Sequence, residues 1–347
     1  MEEKLKIISC DQLFGDSRFV ASGHLFYSPE WISVLKQEYD FDLQAVVSDD
    51  LKEYLLFSKH DGFPGKKIVS LPFSDVTIPI VDAAHLEKFL WLITVNFPHH
   101  PCTVKVAGDL IATVEKMGWK SIREAMYHTV DTSDQEAMWK NLSPSFSQQT
   151  KQAQKFGVKV TISGDIEAMD RFYALHTRTR KMKFHSMPQG RSFFHTIHKE
   201  FIAHGKGFVI ESRVEDRLAC SAVILASGDK LYYKFSASSG EDTEKRPNNL
   251  LLWELLQFAH INKFKQVDLG LSGAAPSYAG LVRFKEGLGG KPTPIRYFRW
   301  EPAGYDSSHE AAFRRSMDSL TKIVVDESAD DSLAMKAGEV LYKYLAG

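Results

Sequence analysis

Cysteine is scarce in this 347-residue chain, and Cys10, Cys102 and Cys220 stand far apart. That spacing excludes a disulfide framework and a CxxC metal site, so free thiols in a reducing compartment are expected. Long apolar runs are missing too. The most apolar window, residues 89–95, is far shorter than the roughly 20 residues a membrane-spanning helix needs. The opening MEEKLKII is acidic and lacks the apolar core of a signal peptide, so a cytoplasmic protein is expected. Neither sign of charge dominates: 43 Lys and Arg stand against 44 Asp and Glu, a net charge of −1. A duplex-DNA-binding surface is thereby excluded, although local patches can still meet phosphates. Walker and Rossmann glycine loops, a GxSxG elbow and HxH or HExxH spacings are all absent. No metal site, no covalent nucleophile and no tightly bound cofactor are expected.

What is present is ordinary globular composition, 44% hydrophobic and 25% charged, in a chain long enough for two packed cores. Ser28-Pro29-Glu30-Trp31 supplies a cap, a proline at the first helical position and an acid in the first turn, opening the helix WISVLKQEY. Strands are predicted at 43–48, 53–58 and 66–71, then a helix near 82–97, a strand at 103–108 and a helix at 110–118. A second unit begins after Trp119. Ser133 and Glu136 have capping-box spacing, and the helical pattern continues through SPSFSQQTKQAQK to a natural stop at Gly157. A strand at 158–162 and helices at 165–181 and 191–204 precede an antiparallel meander at 207–212, 217–227 and 230–238. Pro247 opens a long helix with Leu251, Leu252, Leu255 and Ala259 on one face. The strand Val267-Asp268-Leu269 then leads through a Gly/Ser-rich turn to a helix start carrying Arg283-Phe284-Lys285. The tail ends in the amphipathic SLAMKAGEVLYKYLAG, read as a docking helix. The expected class is α/β with mixed sheets, divided as residues 1–122, 123–300 and a helical tail 301–347.

Asp268-Leu269-Gly270, Gly280-Leu281-Val282-Arg283-Phe284-Lys285 and Gly289 together resemble the closing motif of the FemAB family and its CelD-like acyltransferase relatives. Pro247 with Leu251, Trp253, Glu254 and Ala259 resembles the family's central helix, and Trp139 with Gly157-Val158 resembles the start of its catalytic unit. Phe26-Tyr27-Ser28-Pro29-Glu30-Trp31 and Ser70-Leu71-Pro72-Phe73-Ser74-Asp75 extend the resemblance into the first unit, so it covers about residues 24–300. It implies two tandem GNAT (acyl-CoA N-acyltransferase-like) domains, the first diverged, with the acceptor between them. It also implies transfer of an acyl or aminoacyl group to an amine. Well-known members use aminoacyl-tRNA to build peptidoglycan cross-bridges, while looser relatives are assigned acyl-CoA. Two departures stand out. SFSQQTKQAQKFG has fewer Arg and Lys than family members often carry, and no charged heptad segment supplies a coiled-coil arm.

Acylating an amine requires a neutral amine, a proton acceptor, and positive charge or N–H donors where the oxyanion develops. The resemblance places Lys285 and Phe284 at the donor's end; a solvated lysine beside a core phenylalanine is the plainer reading. Asp268, at a strand end, can orient the amine or take its proton, or simply cap the next loop. Arg283, Ser272 and Tyr233 complete the expected donor site, and Trp31, Ser74, Asp75 and Arg178 the acceptor site. Arg178 belongs to the basic run His176–His185, which suits a pyrophosphate or a tRNA 3′ end and equally a solvated helix end. Expected co-substrates are acyl-CoA or aminoacyl-tRNA, and the expected acceptor is an amine on a cell-envelope polysaccharide or peptidoglycan precursor. A non-catalytic GNAT-fold module binding a glycan or peptide is the alternative.

Overall fold

Alternation of buried and half-buried residues along strand Cys102–Ala107 gives it one core-facing side, whereas Arg217–Ser227 is buried at most positions and is covered on both faces. These two strands belong to different compact units in the computed structural model, which describes residues 4–346; the first three residues of the acidic opening lie outside it. One unit takes the chain as far as Met126, with Thr293–Met317 and the last described residues from Lys343. The other takes Tyr127–Pro292 and Asp318–Tyr342.

Strands Leu5–Ser9, Asp42–Ser48, Tyr54–His60 and Lys67–Ser70 of the first unit pair antiparallel in succession. Helix Leu86–Asn96 then carries the chain over the sheet, and Cys102–Ala107 returns parallel to Lys67–Ser70. In the second unit, Lys159–Ser163, Gly207–Val214, Arg217–Ser227 and Lys230–Ser238 are again antiparallel neighbours. Helix Pro247–Ile261 crosses over, and Gln266–Gly273 returns parallel to Lys230–Ser238. The same order is therefore built twice. Each parallel pair needs a crossover that no tight turn can supply, and the two most apolar helices, Leu86–Asn96 and Pro247–Ile261, provide it. Leu251, Leu255 and Ala259 of the second helix are fully buried against Ile210, Ala222, Ile224 and Val267.

Local chemistry sets most element ends. Ser28 caps Pro29–Tyr39 by accepting from the Trp31 N–H, as its sequence predicts. The cap ahead of Gln135–Asn141 is Asp134, not Ser133: its carboxylate accepts from both Glu136 and Ala137. The helix expected to run on to Gly157 breaks at Leu142, and Ser143 with Pro144 starts a new one, Pro144–Lys155. Two long strands, Lys120–Asp131 and Lys291–Trp300, escaped the sequence reading. The first is exposed over its opening residues, and the second contains Pro292 and Pro294, so neither shows a strand's usual pattern. The tail forms helices Ser308–Val324 and Asp331–Leu341. Glu339 accepts from the Arg191 and Ser192 N–H groups and so caps helix Arg191–Glu200.

Helix Ile166–Arg178 buries His176 against Phe172 and Phe194, with Nε2 3.0 Å from Gln189 Oε1. Burial pushes its imidazole from the ordinary 6.5 to about 4, so the native ring is neutral at pH 7. Between those values the unfolded chain binds the extra proton, so stability falls as pH drops and the whole effect is spent at about pH 4. The loss from this residue is about 3 kcal/mol. His176→Phe should flatten that part of the profile, measured by urea unfolding at neutral pH and again at about pH 4.

Candidate active site

The parallel register of the second unit runs Lys230↔Gln266, Leu231↔Val267, Tyr232↔Asp268 and then stops, although the strands continue to Ser238 and Gly273. Each strand carries a distortion at the parting. Lys230–Ser238 shifts register against its other neighbour between Tyr233 and Phe235, a bulge that bends the strand. Gln266–Gly273 turns at Gly270, whose φ of 69° is costly for any residue with a Cβ.

A cavity of about 450 Å³ lies where the strands separate. Tyr233, Ser236, Ala237 and Ser238 line it from one strand and Leu269 from the other. Helix Pro247–Ile261 contributes Asn248 and Leu252, and helix Ala279–Gly287 contributes Leu281, Phe284 and Lys285, with Leu288 just beyond. The remaining wall is Thr179, Lys183 and Phe184, from the end of helix Ile166–Arg178, which widens into a π turn over Thr179–Lys183. Such turns are frequent at functional sites.

Parting two strands orphans backbone groups, and two side chains answer for some of them. The Thr179 hydroxyl accepts from the Ser238 N–H at 3.1 Å, and its single proton is shared between the Leu175 carbonyl at 2.8 Å and the Ser238 carbonyl at 3.0 Å. Across the gap, Lys285 Nζ donates to the Gly270 and Leu271 carbonyls, both at 3.0 Å. Lys285 is only 7% exposed. It stands in the last turn of its helix, not at the helix start that the sequence suggests, so its ammonium reaches back to the strand it follows. Phe284 rests against Phe146, ring centres 5.5 Å apart.

Asp268 is 2% exposed and engaged through both oxygens, Oδ1 with the Gly270 N–H at 2.6 Å and Oδ2 with the Tyr127 hydroxyl at 2.7 Å. Tyr233 lines the cavity, and burial raises its phenol well above the usual range, so it is protonated at neutral pH. Arg283 is exposed and Ser272 buried; neither borders the cavity. Arg178 is exposed, whereas Thr179, Lys183 and Phe184 of the same run reach the cavity. Glu254 is half-buried away from it, its carboxyl raised by burial. In the first unit Trp31 is fully buried and donates its indole N–H to Ser74 Oγ at 2.7 Å, while Asp75 is half-buried. The sequence gives no site role to Ser236, Ser238, Asn248 or Leu252, and brings in Thr179 only within the basic run and Leu281 only within the closing motif. Among the described residues no cluster of His, Cys, Asp or Glu could hold a metal ion, and no helix is long and apolar enough to cross a membrane.

The split parallel pair, crossover helix and cavity have a known class. Residues 144–285 match the acetyltransferase (GNAT) domain family model. The chain as a whole is similar to FemX, with a TM-score of 0.64 at 15% identity over 91% of this chain and 100% of FemX. It is also similar to the C-terminal DUF2156 domain of a putative lysylphosphatidylglycerol synthetase from Agrobacterium fabrum, with a TM-score of 0.58 at 11% identity over 90% of this chain and 95% of that one. A tandem GNAT protein from the clavulanic acid biosynthesis pathway matches with a TM-score of 0.54 at 12% identity, over 88% of this chain and 100% of that one. No curated protein matches the chain. The fold is thus the tandem-GNAT, FemAB-like α/β architecture that the sequence motifs imply.

Removing the Lys285 ammonium leaves the Gly270 and Leu271 carbonyls without this donor in a buried setting. Lys285→Met should lower unfolding stability by about 2 kcal/mol, with Lys285→Arg recovering part of the loss in denaturant titrations. Asp268→Ala should cost about as much, and Asp268→Asn less, because the amide oxygen can still accept from Gly270.

Proposed function

We propose that this protein is an N-acyltransferase that moves an acyl or aminoacyl group directly from its carrier to an amine, without a covalent enzyme intermediate. The observation that carries this reading is the cavity opened by the parting strands inside the GNAT domain, with a protonated tyrosine on its wall. The carrier is acyl-CoA or aminoacyl-tRNA. The acceptor proposed is an amino group on a cell-envelope polysaccharide or peptidoglycan precursor, supported by the fold shared with FemX and with the lysylphosphatidylglycerol synthetase domain. The setting proposed is the cytoplasm, where both carriers are made.

The acyl carbonyl sits between the separated strands, and the amine attacks its carbon. The new C–N bond forms as the bond to the carrier's sulfur or oxygen breaks, and the amine's proton leaves with the carrier. Developing negative charge meets the strand edge facing the cavity and the field of Lys183 and Lys285. Tyr233, a neutral phenol whose ionisation burial further disfavours, donates to the departing thiolate or alkoxide and is reprotonated from the amine. Lys285 keeps the gap open by holding the Gly270 and Leu271 carbonyls, and Phe284 packs the wall.

Thermal-shift titrations with CoA thioesters and with charged tRNA test the donor: one class should raise the melting temperature. Tyr233→Phe should then lower kcat by about 100-fold with stability little changed. A protein stabilised by neither donor, yet binding a glycan or peptide, is the non-catalytic module instead.

A further inference from the structure

An aminoacyl group brings an α-ammonium next to the reacting carbonyl, and that charge needs a partner inside the site. The cavity offers none of the usual kind. Among the described residues no aspartate or glutamate lines it, and its charged members are Lys183 and Lys285, both cationic. The nearby carbonyls of Gly270 and Leu271 already accept from Lys285, and Asp268 is taken by Gly270 and Tyr127. A cation placed here loses its water and meets like charge, which is costly in a partly apolar enclosure. Phe184, Leu252, Leu269, Leu281, Phe284 and Leu288 give the wall a broad hydrocarbon surface, and its other polar members, Thr179, Tyr233, Ser236, Ser238 and Asn248, are uncharged.

Resting on the acyltransferase reading, we infer that the transferred group is an uncharged, apolar acyl chain of several carbons and not an aminoacyl group. Size agrees with this. About 450 Å³ lies within the roughly 300–1,000 Å³ of pockets that enclose whole small ligands, room for a chain of several carbons beside the carrier's reacting end and the amine. The rim agrees as well. Phe184 and Leu281 are 54% and 41% exposed, large apolar surface that an entering chain would cover. The chemistry is unchanged: the acyl–sulfur bond breaks, the amide forms, and no oxidant or reductant takes part.

Hexanoyl-CoA and norleucyl-CoA differ only by the α-ammonium, so their affinities for the intact protein, measured by calorimetry, isolate that charge. Hexanoyl-CoA should bind at least about tenfold more tightly. From acetyl- through butyryl- to hexanoyl-CoA, affinity should rise by about fourfold per methylene. Leucyl-tRNA and its α-hydroxy analogue give the same comparison on the other carrier, with the uncharged ester expected to bind more tightly. Leu281→Glu, at an exposed wall position where folding is not at stake, should shrink the discrimination in both pairs. Aminoacyl donors that bind as well as their uncharged partners and are transferred would overturn this inference while leaving the acyltransferase in place. Failure of every ester on both carriers to bind would instead bring down the acyltransferase reading, and this inference with it.

Discussion

Two parallel strands that stop pairing while both continue pose a physical problem on which the rest of the second unit depends. Beyond Tyr232 and Asp268 the facing edges no longer satisfy each other, yet the surroundings are buried. An unpaired buried carbonyl or N–H costs about as much as a hydrogen bond is worth, so the gap would close or flood unless other groups took the load. Thr179 takes the Ser238 N–H and shares its one proton between the Ser238 and Leu175 carbonyls, and Lys285 takes two carbonyls of the opposite strand. These contacts let the wedge stay open with an apolar lining. Asp268 works two residues deeper: it ties Gly270, where the strand turns, to the Tyr127 hydroxyl and sets where the divergence begins.

Thr179 can play that part only if its segment stays in place, and a π turn is a weak segment to rely on. Lys181, inside that turn, is buried and donates to the Ala329 carbonyl and to Asp331 Oδ1 at 3.0 Å. Glu339 caps the next helix, and a Cβ on Gly338 would run into the Pro188 carbonyl, so the last helix fits closely over the loop that follows the turn. Met187 packs with Val324 and Val325 in a small separate core. The stretch 318–342 thus braces one cavity wall from behind, which gives the tail a role in the site that its amphipathic pattern alone does not disclose.

Much of this fold is legible in the sequence because its strong signals are local. The helices opened by Pro29 and Pro247, the three-strand meander and the strand Gln266–Gly273 announce themselves by caps, turns and apolar runs. Strands Lys120–Asp131 and Lys291–Trp300 do not, since half-exposed residues and two prolines conceal them. The site divides the same way. Phe284, Lys285 and Tyr233 are recoverable from a motif or from strand alternation. Thr179 is not, because its value lies in a bond to Ser238, 59 residues away, that no spacing rule encodes. The basic run 176–185 reads equally as a phosphate site or a solvated helix end, yet its middle residues Thr179 and Lys181 are buried.

The first unit shows what the same topology does when the opening is not kept. Its parallel pair also breaks off early, after Ile68↔Cys102 and Val69↔Thr103. There the chain itself fills the space. Ser70 Oγ accepts from the Lys105 N–H at 3.1 Å, the Lys105 ammonium donates to the Ser74 carbonyl, Ser74 Oγ accepts from the Trp31 indole, and Leu71 and Val76 are buried. A polar loop with its own partners has replaced the gap, so Trp31 and Ser74 are spent on packing. In the second unit the corresponding strand runs on to Ser238 before its loop begins, and the side chains that reach the divergence come from elsewhere in the chain. Topology supplies the fork in both units. Whether a fork becomes a cavity depends on whether the orphaned backbone is satisfied by side chains that stand aside or by a loop that fills it.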